Sequence, residues 1–215
     1  MDIVWLGHSC FRIRGREATV ITDPCPPASG YNIGKPTADI ITISHHHDDH
    51  TYVKAVTGTP VVIDAPGEYE IHGAFITGIP TYHDGEKGAE LGANISFVIE
   101  MEEIKICHLG DLGHKPTADQ AEEMTGADVL LIPIGGERTI DGPKAAEIVA
   151  TLEARLVVPM HYRTEAGGAK LELPERFLKE MGVATPPEPQ AKLSVTRNSI
   201  PTETQVVLLD YRRGS

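Results

Sequence analysis

The sequence of 215 residues predicts an α/β fold of two similar β-rich halves that meet face to face, with polar loops gathered at one edge. Three observations carry that prediction. Short apolar runs at 39–43, 129–133 and 156–160 read as buried strands. The runs at 39–43 and 156–160 lead into histidines at their C-terminal ends, where α/β folds place their chemistry. A unit of hairpin, aspartate, loop or helix, Ala-Asp and apolar strand occurs twice, so that Asp23 maps onto Asp111 and Ala38-Asp39 onto Ala127-Asp128.

The elements follow in order. Residues 10–14 alternate, Gly15-Arg16 turns, and 18–22 returns, giving a hairpin that Asp23-Pro24 ends. Residues 24–37 are rich in Pro and Gly and read as loop. After the strand at 39–43 and a histidine cluster, residues 51–56 read as a helix stopped by Gly58. Residues 60–63 form a short buried strand, 65–70 a loop, and 71–79 a strand with Gly breaks. A polar, Gly-rich loop runs from 81 to 92, and a second hairpin spans 95–100 and 104–109, ending at Gly110-Asp111. Thr117 with Gln120 forms a capping box, and Gly126 closes that helix. Asp141 caps a helix with Pro143 in its first turn, running to about residue 153. A short helix near 174–181, a Pro-rich link at 186–189 and two strands, the last at 205–209, complete the chain. All of it, residues 1–215, reads as one domain.

Composition narrows the function. The formal charge is −12, with no Lys/Arg cluster, which argues against nucleic acid and anionic membrane as partners. The first residues have neither a basic stretch nor a long apolar core, and no run reaches the length of a bilayer span. Cys10, Cys25 and Cys107 are odd in number and widely spaced, so a disulfide framework is not expected and the cytoplasm is. A small-molecule substrate is the expected partner; a homo-oligomer is compatible with the sequence.

Four of the ten histidines lie within residues 45–50, interleaved with Asp48 and Asp49. In an extended loop, residues two apart point to the same side. His45 and His47 can therefore share one cation, while Asp49 and His50, at the start of the following helix, can hold a second. His46 and Asp48 occupy the alternate positions and face away. Neither pair closes a metal shell, so further ligands must come from other strand ends. His83, Asp111 and His161 are the candidates, with Asp111 placed to bridge two ions. Nitrogen and carboxylate ligands without thiolate suit zinc or manganese, with iron a weaker fit. Asp23 reads as an orienting partner of the histidine loop, because metal-binding imidazoles need one. His8, Glu68, His108, Arg138 and Tyr162 are candidates for contacts to substrate or support of the site.

The run His45-x-His47-x-Asp49-His50, with a lone His83, Gly110-Asp111 and the strand-final His161, resembles the metallo-β-lactamase fold superfamily over the whole chain. Residues 5–11, 21–24, 108–114, 132–136 with 139–141, and 159–162 resemble its ascorbate-6-phosphate-lactonase-like metal-dependent hydrolases. The resemblance implies a four-layer αβ/βα sandwich, two mixed sheets face to face with helices outside. It also implies His45, His47 and His83 on one metal, Asp49, His50 and His161 on the other, and Asp111 between them. Departures matter too. Glyoxalase-type and quorum-lactone enzymes carry Gly-His-Thr around the third histidine, where this chain has Tyr82-His83-Asp84. Class B β-lactamases are secreted, and RNA-processing members add a domain or a basic arm.

The expected activity is hydrolysis of an ester, lactone or phosphodiester by a hydroxide bridging two cations, with Asp111 and Asp49 as the catalytic carboxylates. Two alternatives sit on the same fold. An iron-loaded oxidoreductase would normally bring a flavin domain or sulfur-linked partners. A metal-binding protein without turnover would be expected to have lost ligands.

Overall fold

A computed structural model describes residues 1–211. Among these residues thirteen strands form two mixed sheets. The first sheet contains β1 (Asp2–Gly7), β2 (Cys10–Arg14), β3 (Thr19–Thr22), β4 (Ile40–Thr42), β5 (Val61–Ile63) and β12 (Leu193–Ser194), in the order β12-β1-β2-β3-β4-β5. The second contains β6 (Gly67–Ile71), β7 (Ala74–Tyr82), β8 (Ala93–Met101), β9 (Ile104–His108), β10 (Val129–Pro133), β11 (Leu156–Met160) and β13 (Gln205–Val206), in the order β13-β11-β10-β9-β8-β7-β6. Helices α1 (Ala118–Met124), α2 (Gly142–Leu152) and α3 (Glu175–Glu180) follow in chain order.

The internal echo has a counterpart in the strand pairing. β2 and β3 are antiparallel, and β3, β4 and β5 are parallel. In the second sheet β8 and β9 are antiparallel, and β9, β10 and β11 are parallel. Asp39 accepts from the Thr19 amide at 2.8 Å, and Asp128 accepts from the Lys105 amide at 2.9 Å. Each of these aspartates precedes a parallel strand and takes an amide at the start of the neighbouring strand, Thr19 of β3 or Lys105 of β9.

Alternation puts Ile3, Trp5, Phe11, Ile13, Val20 and Ile40 on the inner face of the first sheet, against Ile76, Phe97 and Ile99 of the second. The opposite face of the second sheet takes α1 and α2, with Met124, Ile148 and Leu152 fully buried. Among the described residues no long helix covers the other face of the first sheet. Instead Cys25, Tyr31, Ile33, Ala55 and Val56, from loops and a single 3-10 turn, pack on Val4, Leu6, Ile21 and Ile41. Among the described residues no helix is long and apolar enough to cross a membrane.

Both predicted helix caps form. Thr117 and Gln120 make the capping box, and Asp141 accepts from the Lys144 amide. Some expectations fail locally. Residues 60–63, expected as a buried strand, give edge strand β5, which pairs on one side only and leaves Val61 and Val62 exposed. Residues 51–56 contain only a 3-10 turn at Val53–Ala55, because the Tyr52 amide is committed to the carbonyl of Pro24. Residues 67–71 are strand β6 rather than loop, paired with β7 through Glu68↔Thr77 at the edge of the second sheet.

Candidate metal centre

Parallel strands deliver their C-terminal ends to one edge, and the polar groups collect there. β3 ends at Asp23, β4 leads into 44–50, β7 ends one residue before His83, β9 runs out to Asp111, and β11 ends at His161. His8 sits in the two-residue turn between β1 and β2. His8, Asp23 and His161 have φ of 54°, 37° and 49°. Three non-glycine residues in left-handed backbone at one site is the pattern of local strain held by surrounding structure. Gly110 has φ of 57°, and a Cβ there would lie 2.5 Å from Asn94 Oδ1 and from the Ser44 Cβ. Only glycine lets the chain turn Asp111 inward between them.

The imidazoles form two groups. His45, His47 and His83 lie together, with ring centroids 4.6, 4.6 and 5.1 Å apart. His8, His50 and His161 form the second group, and the two groups are contiguous: the ring centroids of His45 and His50 are 4.1 Å apart, and His45, His50 and Asp111 also cluster. Asp111 stands between the groups. Its Oδ2 is 3.3 Å from His50 Nε2, 3.1 Å from His161 Nε2 and 3.6 Å from His83 Nε2. Its Oδ1 accepts from Ser9 Oγ at 3.1 Å, and its amide donates to Asn94 Oδ1 at 3.0 Å.

Three rings are held from behind. His50 Nδ1 donates to Asp23 Oδ2 at 3.0 Å, and His83 Nδ1 to the carbonyl of Arg138 at 3.0 Å. His45 Nδ1 is 2.9 Å from Ser44 Oγ, which itself donates to Asp23 Oδ2 at 2.6 Å. The Ser44 amide reaches Asp23 Oδ1 at 2.7 Å. One buried carboxylate thus orients two imidazoles, the function expected of Asp23. With Nδ1 engaged, Nε2 faces inward: that of His45 is buried without a hydrogen-bond partner, and that of His50, which also makes no hydrogen bond, faces only Asp111 Oδ2 at 3.3 Å. Buried, unpartnered nitrogens are costly unless something fills the space between them. A divalent cation fits that requirement and the donor set, imidazole and carboxylate without thiolate.

The electrostatics agree. Burial, reinforced by the charge of His50, lowers the pKa of His45 to about 3, so the ring stays neutral. Burial lowers His83 and, together with the nearby His161, His8. Burial opposes charge on His50 as well, but Asp111 and Asp23 outweigh it and raise its pKa well above the ordinary value. Burial likewise opposes charge on Asp111, yet His161 and His50 hold its carboxyl well below the usual range.

The remaining candidates fall into three sets. A cavity of about 480 Å³ opens over the cluster, lined by His8, Asp49, Arg138, Tyr162, Tyr31 and Lys170 among others. Asp49 is half-exposed; its Oδ2 lies 3.2 Å from His8 Nε2, and the hydrogen bond to His8 lowers its pKa. His108 does not reach the cavity; its Nε2 donates to the Ser9 carbonyl at 2.9 Å, steadying the residue that donates to Asp111. Glu68 is the correction. It is exposed on edge strand β6 and does not line the cavity, because the β6–β7 hairpin carries it to the outer edge of the second sheet. His8, a lone histidine in a turn with no spacing partner in the sequence, lines the cavity beside His50 and His161. His46 points outward to Asp64, and the three cysteines are free and buried.

Comparison with known proteins gives the family. Residues 2–161 match the family model of the beta-lactamase superfamily domain. A UPF0173 protein of Pyrococcus furiosus is 32% identical over 202 residues, covering 84% of this chain and 90% of the relative. A UPF0173 metal-dependent hydrolase of Thermococcus onnurineus is 32% identical over 210 residues, covering 85% and 92%. A Thermotoga maritima crystal structure, assigned as a zinc-dependent hydrolase of the metallo-β-lactamase superfamily, superposes with a TM-score of 0.80 at 40% identity, covering 97% of each chain. With its two mixed sheets and its histidine-lined edge, the chain therefore belongs to the metallo-β-lactamase superfamily, among the UPF0173 metal-dependent hydrolases.

Proposed function

We propose that the chain hydrolyses an ester, lactone or phosphodiester of a small molecule at a dinuclear centre. His45, His47 and His83 would hold one divalent cation, and Asp49, His50 and His161 the other, with Asp111 shared. Zinc or manganese suits these ligands, and iron fits less well. When bound, such a pair supplies a hydroxide at neutral pH and a Lewis acid for the substrate's electrophilic oxygen. The rest falls to the chain. Asp111, fixed by Ser9 and Asn94, presents Oδ2 to both groups of imidazoles. The cavity over the cluster has the volume of a small-molecule site. Tyr31, Tyr162, Arg138 and Lys170 line it; Lys170 is paired with Glu137 at 3.7 Å, so Arg138 is the cation left to meet an anionic or polar substrate group.

The observation that carries this reading is the convergence of imidazoles from separate strand ends around one buried carboxylate, with Nε2 atoms left unpartnered. The test is a panel of ester, lactone and phosphodiester substrates, assayed on stripped protein reloaded with each metal, for wild type and Asp111→Ala. Asp111→Ala is expected to abolish turnover and weaken metal retention while circular dichroism stays unchanged. Full activity in that variant would remove Asp111 from the mechanism. Iron after anaerobic purification, without hydrolysis of any substrate, would favour the oxidoreductase instead.

A further inference from the structure

We infer that His8 is a ligand of the second cation, which makes the two metal positions unequal in coordination. The inference rests on the dinuclear reading above and goes beyond its ligand set. An imidazole bound at about 2.1 Å puts its ring centroid roughly 3.2 Å from the ion. Two such rings on neighbouring coordination positions then lie about 4.5–5.2 Å apart, and two rings on opposite sides about 6.4 Å apart.

The ring separations can be compared with those values directly. His45, His47 and His83, at 4.6, 4.6 and 5.1 Å, are mutual neighbours around one point, as three corners of a tetrahedron would be. The other group differs. His8 lies 4.7 Å from His50 and 4.5 Å from His161, while His50 and His161 are 6.4 Å apart. That is a T, with His8 as its stem and the other two on opposite sides. His8 Nε2 lies 3.2 Å from Asp49 Oδ2, and His161 Nε2 lies 3.1 Å from Asp111 Oδ2. Ligand atoms on adjacent positions of one ion are separated by about 3.0–3.4 Å when each bond is near 2.1 Å. His8, Asp49, His50, His161 and Asp111 therefore make a five-ligand set, whereas the first position has three imidazoles and the shared carboxylate.

The backbone at His8 is built for this placement. Its φ of 54° turns the ring inward, and its carbonyl is held by Trp5 Nε1 at 2.9 Å and by the amide of His161 at 3.3 Å. The hydrogen bond from His161 ties the first turn of the chain to the end of β11. A turn in left-handed backbone, locked to a ligand strand, has no evident purpose if the ring it carries is idle.

The test is a competition titration with a chromophoric chelator on metal-stripped wild type, His8→Asn and His8→Gln. Asn is chosen because it tolerates left-handed backbone. Wild type should take up two equivalents of zinc. Each variant should hold one equivalent within about threefold of wild type and lose the other by about 100-fold or more, at the scale of losing a direct ligand rather than a supporting contact. Two unchanged equivalents in folded variants would overturn the assignment of His8. A wild type that takes up only one ion would instead overturn the dinuclear reading. Anomalous diffraction from zinc-loaded wild type settles the matter if both variants misfold. An ion about 2.1 Å from His8 Nε2 supports the inference, and one beyond about 3 Å refutes it.

Discussion

Replacing Asp23 by asparagine tests the argument about imidazole orientation with almost no change in volume. The carboxylate is 1% exposed and accepts three hydrogen bonds, from the Ser44 amide, Ser44 Oγ and His50 Nδ1. The carbonyl of the new side chain can keep the amide. Its NH2 group then faces Ser44 Oγ and His50 Nδ1, both of which were donors. His50 can accept only by moving its proton to Nε2, the atom that faces Asp111. If Ser44 Oγ now accepts from the introduced NH2 group, its own hydrogen turns to His45 Nδ1, and that ring is forced into the same wrong tautomer. One substitution thus compromises a ligand in each group. Loss of such supporting contacts typically lowers metal affinity 10–100-fold, or about 1.4–2.7 kcal/mol. Two lost bonds to a charged acceptor also cost the metal-free protein about 3 kcal/mol. Chelator competition on Asp23→Asn should show both equivalents weakened, and urea denaturation should show the lower stability. Imidazole ¹⁵N shifts would report the tautomers. If both equivalents stay within threefold of wild type, Asp23 does not set the tautomers, and the orientation argument fails.

Two further outcomes follow from buried groups. Burial raises the Cys107 thiol to about 12, so the folded state keeps a proton that the unfolded chain releases near pH 9. Its contribution is fully present below pH 9 and lost between 9 and 12, at about 1.4 kcal/mol per pH unit, so Cys107→Ala should have a flatter urea midpoint than wild type across that alkaline window. An identical pH slope in the two proteins would contradict this. Gly110→Ala should cost about 2–4 kcal/mol in thermal or urea unfolding and displace Asp111, because the new Cβ combines left-handed backbone with contacts 2.5 Å from Asn94 and Ser44. Wild-type stability in that variant would mean that the 43–45 and 109–111 turns yield more easily than their packing implies.

Much of the fold is readable in the chain because its central strands are short, apolar and bounded by turn residues. The repeat of Ala-Asp before an apolar run gives away the pairing of the two halves, and Asp39 and Asp128 accept equivalent amides. The failures have physical causes. β6 carries exposed glutamates and pairs on one side only, so it lacks the apolar signature of a buried strand. Residues 51–56 look helical, but the Tyr52 amide is drawn off to Pro24. In the site, spacing identifies His45 with His47, and strand-end position identifies His83, Asp111 and His161. Spacing cannot reveal that the carbonyl of Arg138, rather than its guanidinium, touches His83. Nor can it place His8, whose role depends on a backbone angle and on a neighbour more than 150 residues away.

The seam between the sheets is where the candidate ions would sit. His8, His45, His47, Asp49 and His50 come from the first sheet and its loops, and His83, Asp111 and His161 from the second. Neither half can close a coordination shell without the other. Occupancy would therefore act as a rivet: free metal at a thousand times its dissociation constant adds about 4 kcal/mol per site against separation of the two layers. The same groups that would perform the chemistry would then also set how firmly the sandwich is shut.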